Sequence, residues 1–297
     1  MSNLLANPVA LTILPPLAAG LVIGLLAWIS GGNRVVMALA WGLGVLFAYW
    51  LLEGMPPLPP VAAKQKLGYL LAAGALVGLV FSLIDPGPTV FFLKSVALAL
   101  LALVWMGWTK FGDAQAIWTV VLAVLVTMLT GRGSLYSLSL ASAKPTPGSE
   151  RPFLAPAALL TTSIGGAIVA ASGLFLGMGQ MFGALASMLG GALAVSYLAL
   201  LTRGEGLRLM PLGTVPIVSY AVVACAILTA LLGPSVNPWA LLILALGPLL
   251  AAVLSDRVAR LLPDVAFLRP LLAGAIIAIP AVIASLLAVF TGTSPFA

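Results

Sequence analysis

Charge is what this chain has least of. Only 7% of its 297 residues are charged, whereas 62% are hydrophobic. A water-soluble domain carries roughly 25% charged residues, because its surface has to be hydrated. The 13 Lys/Arg and 7 Asp/Glu residues are too few to cover such a surface. They suffice for a surface that faces lipid. The composition therefore predicts an all-α integral membrane protein, since a helix satisfies its own backbone hydrogen bonds in hydrocarbon.

Histidine is absent and cysteine occurs once, as Cys225. A single cysteine excludes a disulfide within the chain. The lack of histidine excludes haem with histidine ligation, histidine-based zinc or copper sites and histidine general bases. Cys225 lies in an apolar run and is interpreted as a small buried side chain. We predict no cofactor and no metal.

Catalytic motifs are missing as well. The chain contains no GxSxG paired with histidine, no HExxH, no CxxC and no pair of carboxylates within an apolar run. These absences argue against a hydrolase, a protease or a metalloenzyme. The sequence favours a protein that is not an enzyme.

Long apolar runs are what the chain does contain. A membrane-spanning helix needs about 20 mostly apolar residues. Ten runs fit, at residues 8–29, 35–52, 67–84, 89–109, 115–130, 153–176, 180–201, 212–232, 238–255 and 270–291. They predict one transmembrane domain, 1–297, a bundle of about ten helices. The polar stretch 131–151 near the midpoint suggests two five-helix halves, 1–130 and 152–297. An odd number of spans per half is the parity of inverted-repeat transporters.

Basic residues orient the predicted bundle. With ten spans, the loops on one side contain nine of them: Arg34, Arg132, Lys144, Arg151, Arg203, Arg208, Arg257, Arg260 and Arg269. The loops on the other side contain Lys64, Lys66 and Lys110. Positive charge accumulates on the cytoplasmic side. We therefore expect a plasma-membrane or inner-membrane protein with the 131–151 loop in the cytoplasm and both termini outside. Basic residues placed in this way set topology and do not indicate nucleic-acid binding.

Two apolar runs combine hydroxyl groups with proline. The sixth contains Thr161, Thr162 and Ser163 after Pro156, and the eighth contains Ser219 and Tyr220 after Pro216.

Backbone groups freed by proline are tolerated in lipid only beside protein or a water-lined cavity. We predict that Thr161, Thr162, Ser163, Ser219 and Tyr220 line a central substrate site. The alternative is that the hydroxyls bond back to their own helix.

Lys94 is the one basic residue inside an apolar run, about five residues from its start. At about 1.5 Å per residue it lies roughly 7 Å deep. A lysine side chain can reach the interface from there. The functional interpretation is that Lys94 binds an anionic group of the substrate or pairs with Asp85.

Glycines recur at a spacing of four residues, which lets helix backbones approach closely. The pairs are Gly20 and Gly24, Gly74 and Gly78, Gly173 and Gly177, and Gly179 and Gly183. They predict packing within the bundle or, alternatively, faces for other membrane proteins.

The predicted function follows from this architecture. A transporter or flippase needs a cavity, hinges and a few polar groups, and the chain offers these. We expect the substrate to be neutral, zwitterionic or lipid-like, because the two hydroxyl-bearing runs contain no charge. The alternative is a non-catalytic accessory or assembly subunit of a larger membrane complex. The expected partners are membrane lipids, a small-molecule substrate and other membrane proteins, but no nucleic acid.

Overall fold

The computed structural model describes residues 8–84, 87–108, 112, 149–253, 262–263 and 265–292. Every regular element in these ranges is a helix. The helices are α1 (Pro8–Ser30), α2 (Arg34–Glu53), α3 (Ala63–Ile84), α4 (Pro88–Gly107), α5 (Arg151–Ser172), α6 (Leu176–Arg203), α7 (Thr214–Leu232), α8 (Pro238–Leu244), α9 (Leu246–Val253) and α10 (Leu268–Thr291).

Eight of the described helices are long and apolar enough to cross a membrane, all except α8 and α9. Their composition and length confirm a helical membrane bundle. The ninth predicted span, 238–255, is not one helix, because it is divided into α8 and α9 at Ala245. The fifth predicted span, 115–130, lies outside the described residues, as does most of the 131–151 loop. The bundle thus accounts for nine of the ten predicted spans.

Interhelical contacts define the two ends of the bundle. At one end, Lys64 at the start of α3 pairs with Glu53 at the end of α2, and Lys66 Nζ donates to the carbonyl of Trp105 near the end of α4. This end is called the lysine face. At the opposite end, the Arg203 guanidinium lies 4.3 Å from the ring centroid of Trp28. This end, where α1 and α6 end and α2, α5 and α10 begin, is called the arginine face.

The first described helix begins and the last one ends at the lysine face. Thr12 of α1 packs near Gly183 of α6, and Asn237 at the start of α8 donates to Thr291 of α10 at a distance of 2.8 Å. By contrast, α4 ends at the lysine face while α5 begins at the arginine face. The end of α4 and the start of α5 therefore lie at opposite faces of the bundle. Which face is cytoplasmic stays a prediction from the arginine bias.

Glycine contacts hold the helices together, as the four-residue spacing predicts. In α1, a side chain at Gly20 would overlap the Met188 carbonyl of α6, and Gly24 faces Val195. In α3, Gly74 lies under the ring of Tyr220 and Gly78 against Ile217 of α7. All four glycines contact other helices of the same chain.

Helix α7 lies at the centre of the described bundle. It packs against α2, α3, α4, α5 and α6. Its Val215, Val218, Ala221, Ala224 and Leu228 side chains are fully buried. The broken pair α8–α9 packs mainly on α5 and α10, and it contacts α7 only sparsely, through α8. This arrangement leaves a gap between α7 and the broken pair.

Candidate functional site

The gap between α7 and α8–α9 forms a small, partly open pocket. Helix α5 and Phe182 of α6 close its inner side. Its lining is almost entirely apolar, and Thr162 and Ser219 supply the hydroxyl groups. The lining residues are Leu159, Thr162, Phe182, Ser219, Val222, Val223, Ala226, Leu241, Leu244, Ala245 and Pro248. The pocket thus joins two of the residues that the sequence predicts to share a site.

The three hydroxyl residues of α5 have different surroundings, because they point in different directions around the helix. Thr161 and Thr162 both donate to the Ala158 carbonyl, at 3.1 and 2.8 Å. Each therefore bonds back to its own helix, which was the alternative expectation. Only Thr162 also lines the pocket, where its oxygen can still accept a hydrogen bond. Ser163 is fully buried, and its Oγ has no hydrogen-bond partner.

Ser219 and Tyr220 face different neighbours, because successive helical residues point about 100° apart. Ser219 lines the pocket. The Tyr220 hydroxyl donates to the Leu98 carbonyl of α4 at 3.2 Å, and its ring covers Gly74 of α3. Tyr220 therefore belongs to the packing of α3, α4 and α7. Five hydroxyl residues were expected to line one site, and the pocket contains Thr162 and Ser219.

The break between α8 and α9 has a local cause. Pro248 has no N–H, so it leaves the Leu244 carbonyl without the donor that a continuous helix would provide. The N–H of Ala245 instead reaches back three residues to the Leu242 carbonyl, at 3.1 Å. Gly247 then brings the start of α9 against α5, since a side-chain carbon there would lie 3.2 Å from Thr162 Oγ1. The broken helix and the Thr162 hydroxyl therefore meet at one wall of the pocket.

The two prolines expected to bend helices around the site behave differently. Pro216 is the third residue of α7. The first four N–H groups of a helix have no partner within the helix, so Pro216 costs no hydrogen bond there. Pro156 is buried inside α5, which is continuous from Arg151 to Ser172. The proline that opens the backbone beside the pocket is Pro248.

Gly165 and Gly166 serve helix packing and do not open the backbone. Leu244 and Ala281 pack against Gly165, and the ring of Phe182 packs against Gly166. The backbone stays helical at this pair, because α5 continues through it. The two glycines let α5 approach α6, α8 and α10 at once.

Lys94 lies away from the pocket, on the exposed side of α4. Its Nζ is 5.7 Å from the ring centroid of Phe81, a cation–π distance. The predicted partner Asp85 lies outside the described residues. The geometry gives Lys94 no contact with Thr162 or Ser219.

An irregular segment that was not predicted, residues 204–213, connects α6 to α7. It is exposed at Gly204 and Glu205 and mostly buried from Gly206 onward. The Leu207 N–H donates to Ser196 Oγ at 2.9 Å, and Trp41 Nε1 donates to the Leu209 carbonyl at 3.0 Å. Ser196 lies seven residues before the end of α6, so the segment descends about 10 Å back into the bundle. Irregular backbone at this depth is tolerated because protein buries it. The side chains of Trp41 and Ser196, both fully buried, form hydrogen bonds with backbone groups of this segment.

Within the described ranges, no group of three or more His, Cys, Asp and Glu side chains lies close enough to bind a metal. Cys225 is fully buried in α7. The pocket lining contains no charged side chain. The site can therefore offer apolar contact and two hydroxyl groups to a ligand.

Comparison with protein-family models, curated proteins and solved structures gave no match for this chain. The fold and composition define its class, a multi-pass helical membrane protein. Its function has to be argued from the geometry of the pocket.

Proposed function

We propose that this protein is a transporter or flippase for a neutral, zwitterionic or lipid-like small molecule, and that the pocket between α7 and α8–α9 receives the apolar part of that molecule. The observation that supports the proposal is the position of the pocket beside a discontinuous helix. Binding sites formed at broken helices near the middle of the bilayer are typical of secondary transporters.

The lining restricts the chemistry of the substrate. Burying an ionised group without a partner costs several kcal/mol or more. The part of the substrate that occupies the pocket is therefore uncharged. Ser219 Oγ–H can donate to an ether, ester or carbonyl oxygen, and Thr162 Oγ1 can accept from a hydroxyl or amide. A charged headgroup would have to remain outside the apolar lining.

The broken pair α8–α9 is the candidate moving element. It consists of helices of 7 and 8 residues, joined at Ala245 without a continuous set of backbone hydrogen bonds. Short segments joined at such a point can tilt independently, as hinges do in other conformational changes. Tilting of α8–α9 away from α7 would widen the pocket without disturbing the glycine contacts between α1 and α6.

The accessory-subunit alternative depends on glycine-rich faces that are free for a partner. Gly20, Gly24, Gly74 and Gly78 all contact other helices of the same chain. These four glycines are therefore not available to a partner, whereas a side-chain carbon at Gly190 or Gly274 would meet nothing within 4 Å.

Lipid translocation in reconstituted vesicles tests the proposal. Purified protein would be placed in phosphatidylcholine vesicles containing trace NBD-labelled diacylglycerol, phosphatidylcholine or phosphatidylglycerol. Reduction by external dithionite reports the label that reaches the outer leaflet. We expect faster movement of the neutral and zwitterionic lipids than in protein-free vesicles, and slower movement of the anionic lipid. Equal rates with and without folded protein for all three lipids would contradict the proposal.

Variants of the lining residues test whether lipid translocation depends on the pocket. Removing both pocket hydroxyls with Thr162→Val and Ser219→Ala should slow translocation about thirtyfold, since two hydrogen bonds of about 1 kcal/mol each are lost. Ala226→Phe should block the pocket by filling it.

Matched controls lie outside the lining. Thr202→Val removes a hydroxyl that also bonds back to its own helix, to the Leu198 carbonyl. Ala230→Phe adds the same ring one turn beyond Ala226. Both controls should leave translocation unchanged. If the controls and the pocket variants behave alike, the pocket is not the route.

A further inference from the structure

The connection between α2 and α3 carries an apolar surface that the proposed function does not use. It is called the proline loop, residues 54–62, with the sequence GMPPLPPVA. Met55, Leu58 and Val61 occur every third residue and are separated by proline pairs. Their exposed fractions are 81%, 82% and 84%. Large apolar side chains grouped and exposed to this extent mark an interaction surface.

The loop is held in place by polar contacts on its inner side. The Tyr69 hydroxyl donates to the Pro57 carbonyl at 3.0 Å. Gln65 Oε1 accepts from the Val61 and Ala62 N–H groups, each at 3.0 Å. Pro56 packs on Gly68 of α3. These contacts fix the backbone, and the three apolar side chains remain on the outside.

The loop continues the lipid-facing surface of α2. The outward residues of that helix are Leu39, Leu43, Phe47 and Trp50, which recur at helical spacing and are exposed. Such a stripe faces the acyl chains in a membrane-spanning helix. Trp50, near the end of α2, lies where tryptophan is enriched, at the membrane–water interface. The chain then passes directly from this stripe into Met55.

Neighbouring residues place the loop at the same height. Lys66 Nζ lies 2.9 Å from the Trp105 carbonyl, so the first turn of α3 and the last turn of α4 share one level. Tyr69 and Trp105 are in ring contact there, with centroids 6.3 Å apart. Tyrosine, tryptophan and lysine are the side chains that anchor helices at the headgroup level. The loop therefore lies at the boundary between headgroups and acyl chains.

We propose that the proline loop inserts Met55, Leu58 and Val61 into the headgroup layer of the bilayer at the lysine face, so that the corner between α2 and α3 is anchored to lipid. The occupant of this surface is the leaflet itself. The fixed backbone makes insertion inexpensive in entropy, because the loop does not have to be ordered when it contacts lipid. This inference does not depend on the transport proposal.

Site-directed spin labelling tests the proposal in the full chain. The only cysteine, Cys225, would be replaced by alanine, and single cysteines introduced by Met55→Cys, Leu58→Cys and Val61→Cys would carry a nitroxide. Accessibility to oxygen relative to a water-soluble nickel chelate reports depth in phosphatidylcholine vesicles. Leu43→Cys is the reference for the acyl region, and Glu205→Cys, exposed at the arginine face, is the reference for water.

We expect at least two of the three loop positions to give oxygen-to-nickel ratios between the two references. Ratios equal to that of Glu205→Cys at two or more positions would place the loop in water and overturn the proposal. Because the vesicles contain no other protein, shielding can come only from lipid or from a second copy of the chain. Spin–spin broadening that persists at high dilution of protein in lipid would indicate a second copy and would also overturn it.

Discussion

Two interhelical spaces in this molecule illustrate opposite outcomes of the same apolar composition. Between α1 and α6 the backbones touch, because Gly20 and Gly191 offer no side chain at the contact. Between α7 and α8–α9 the helices stay apart around a small pocket. There the facing residues are Val222, Val223 and Leu241, and the opposing helix is broken. In hydrocarbon, close packing replaces the hydrophobic effect as the force between helices. Small residues therefore close the first space, and branched side chains with a broken helix leave the second one open.

The largest expected effect on stability comes from adding a side chain at the contact between α1 and α6. Gly191→Ala would put a side-chain carbon 2.5 Å from the Leu17 carbonyl of α1 and 2.9 Å from the Leu21 N–H. We expect it to lower the free energy of unfolding by about 2–3 kcal/mol, as overpacking does in other cores. This change can be measured by unfolding the protein in mixed micelles with increasing sodium dodecyl sulfate, with circular dichroism as the readout.

The adjacent residue is the matched control. A side chain at Gly190 would meet nothing within 4 Å. Gly190→Ala should leave the stability unchanged or raise it by up to about 1 kcal/mol, because alanine favours a helix over glycine. If both variants destabilise the protein equally, the contact between α1 and α6 is not what makes Gly191 special.

A smaller effect on stability is expected at Gly247, where α9 approaches α5 at the wall of the pocket. A side-chain carbon there would lie 3.2 Å from Thr162 Oγ1, so Thr162 would have to shift by a few tenths of an ångström. Gly247→Ala should cost about 1 kcal/mol. Thr162→Ala in the same chain should recover about 0.5–1 kcal/mol of that cost, because the two residues are in contact. A double-mutant cycle on unfolding measures the coupling, and strictly additive values would show that α9 does not press on α5.

The smallest effect is expected outside both spaces, at Lys94. Its amino group interacts with the face of Phe81, and such contacts at exposed positions contribute about 0.5–1 kcal/mol. Lys94→Gln should therefore change stability by no more than that and leave lipid translocation unaffected. A loss of translocation comparable to that of the Thr162→Val and Ser219→Ala double variant would indicate that Lys94 takes part in the substrate site.

Much of the fold follows from patterns that are local in sequence. Eight of the predicted apolar runs are single long helices in the described residues, because in lipid the backbone has to bond within the segment. The glycine pairs at a spacing of four predicted close helix contacts, and Gly20, Gly24, Gly74 and Gly78 make such contacts. The turn between α5 and α6 is tight. Gly173, Leu174 and Phe175 form it, with all three N–H groups bonded back to α5.

The candidate site could be predicted only in part. Thr162 and Ser219 share a pocket, but the sequence does not tell which side of α7 faces α5, so Tyr220 was placed in the same site. Similarly, an apolar helix surrounded by other helices shows no polar face from which to predict its rotation. Pro156, Pro216 and Pro248 are equivalent as sequence signals. Their effects differ: Pro216 lies in the first turn of α7 and Pro156 leaves α5 continuous, whereas the chain is divided into α8 and α9 just before Pro248.

The sequence by itself determined the class of the protein: a bundle of apolar helices in a chain that contains no histidine. It determined this because hydrogen bonding and transfer into lipid depend on composition along a single segment. Only the tertiary structure decided which glycines close a space, that Pro248 separates α8 from α9 beside Thr162, and that residues 204–213 descend to Trp41. Those outcomes depend on which helices become neighbours, and neighbours are chosen by packing between segments far apart in the chain.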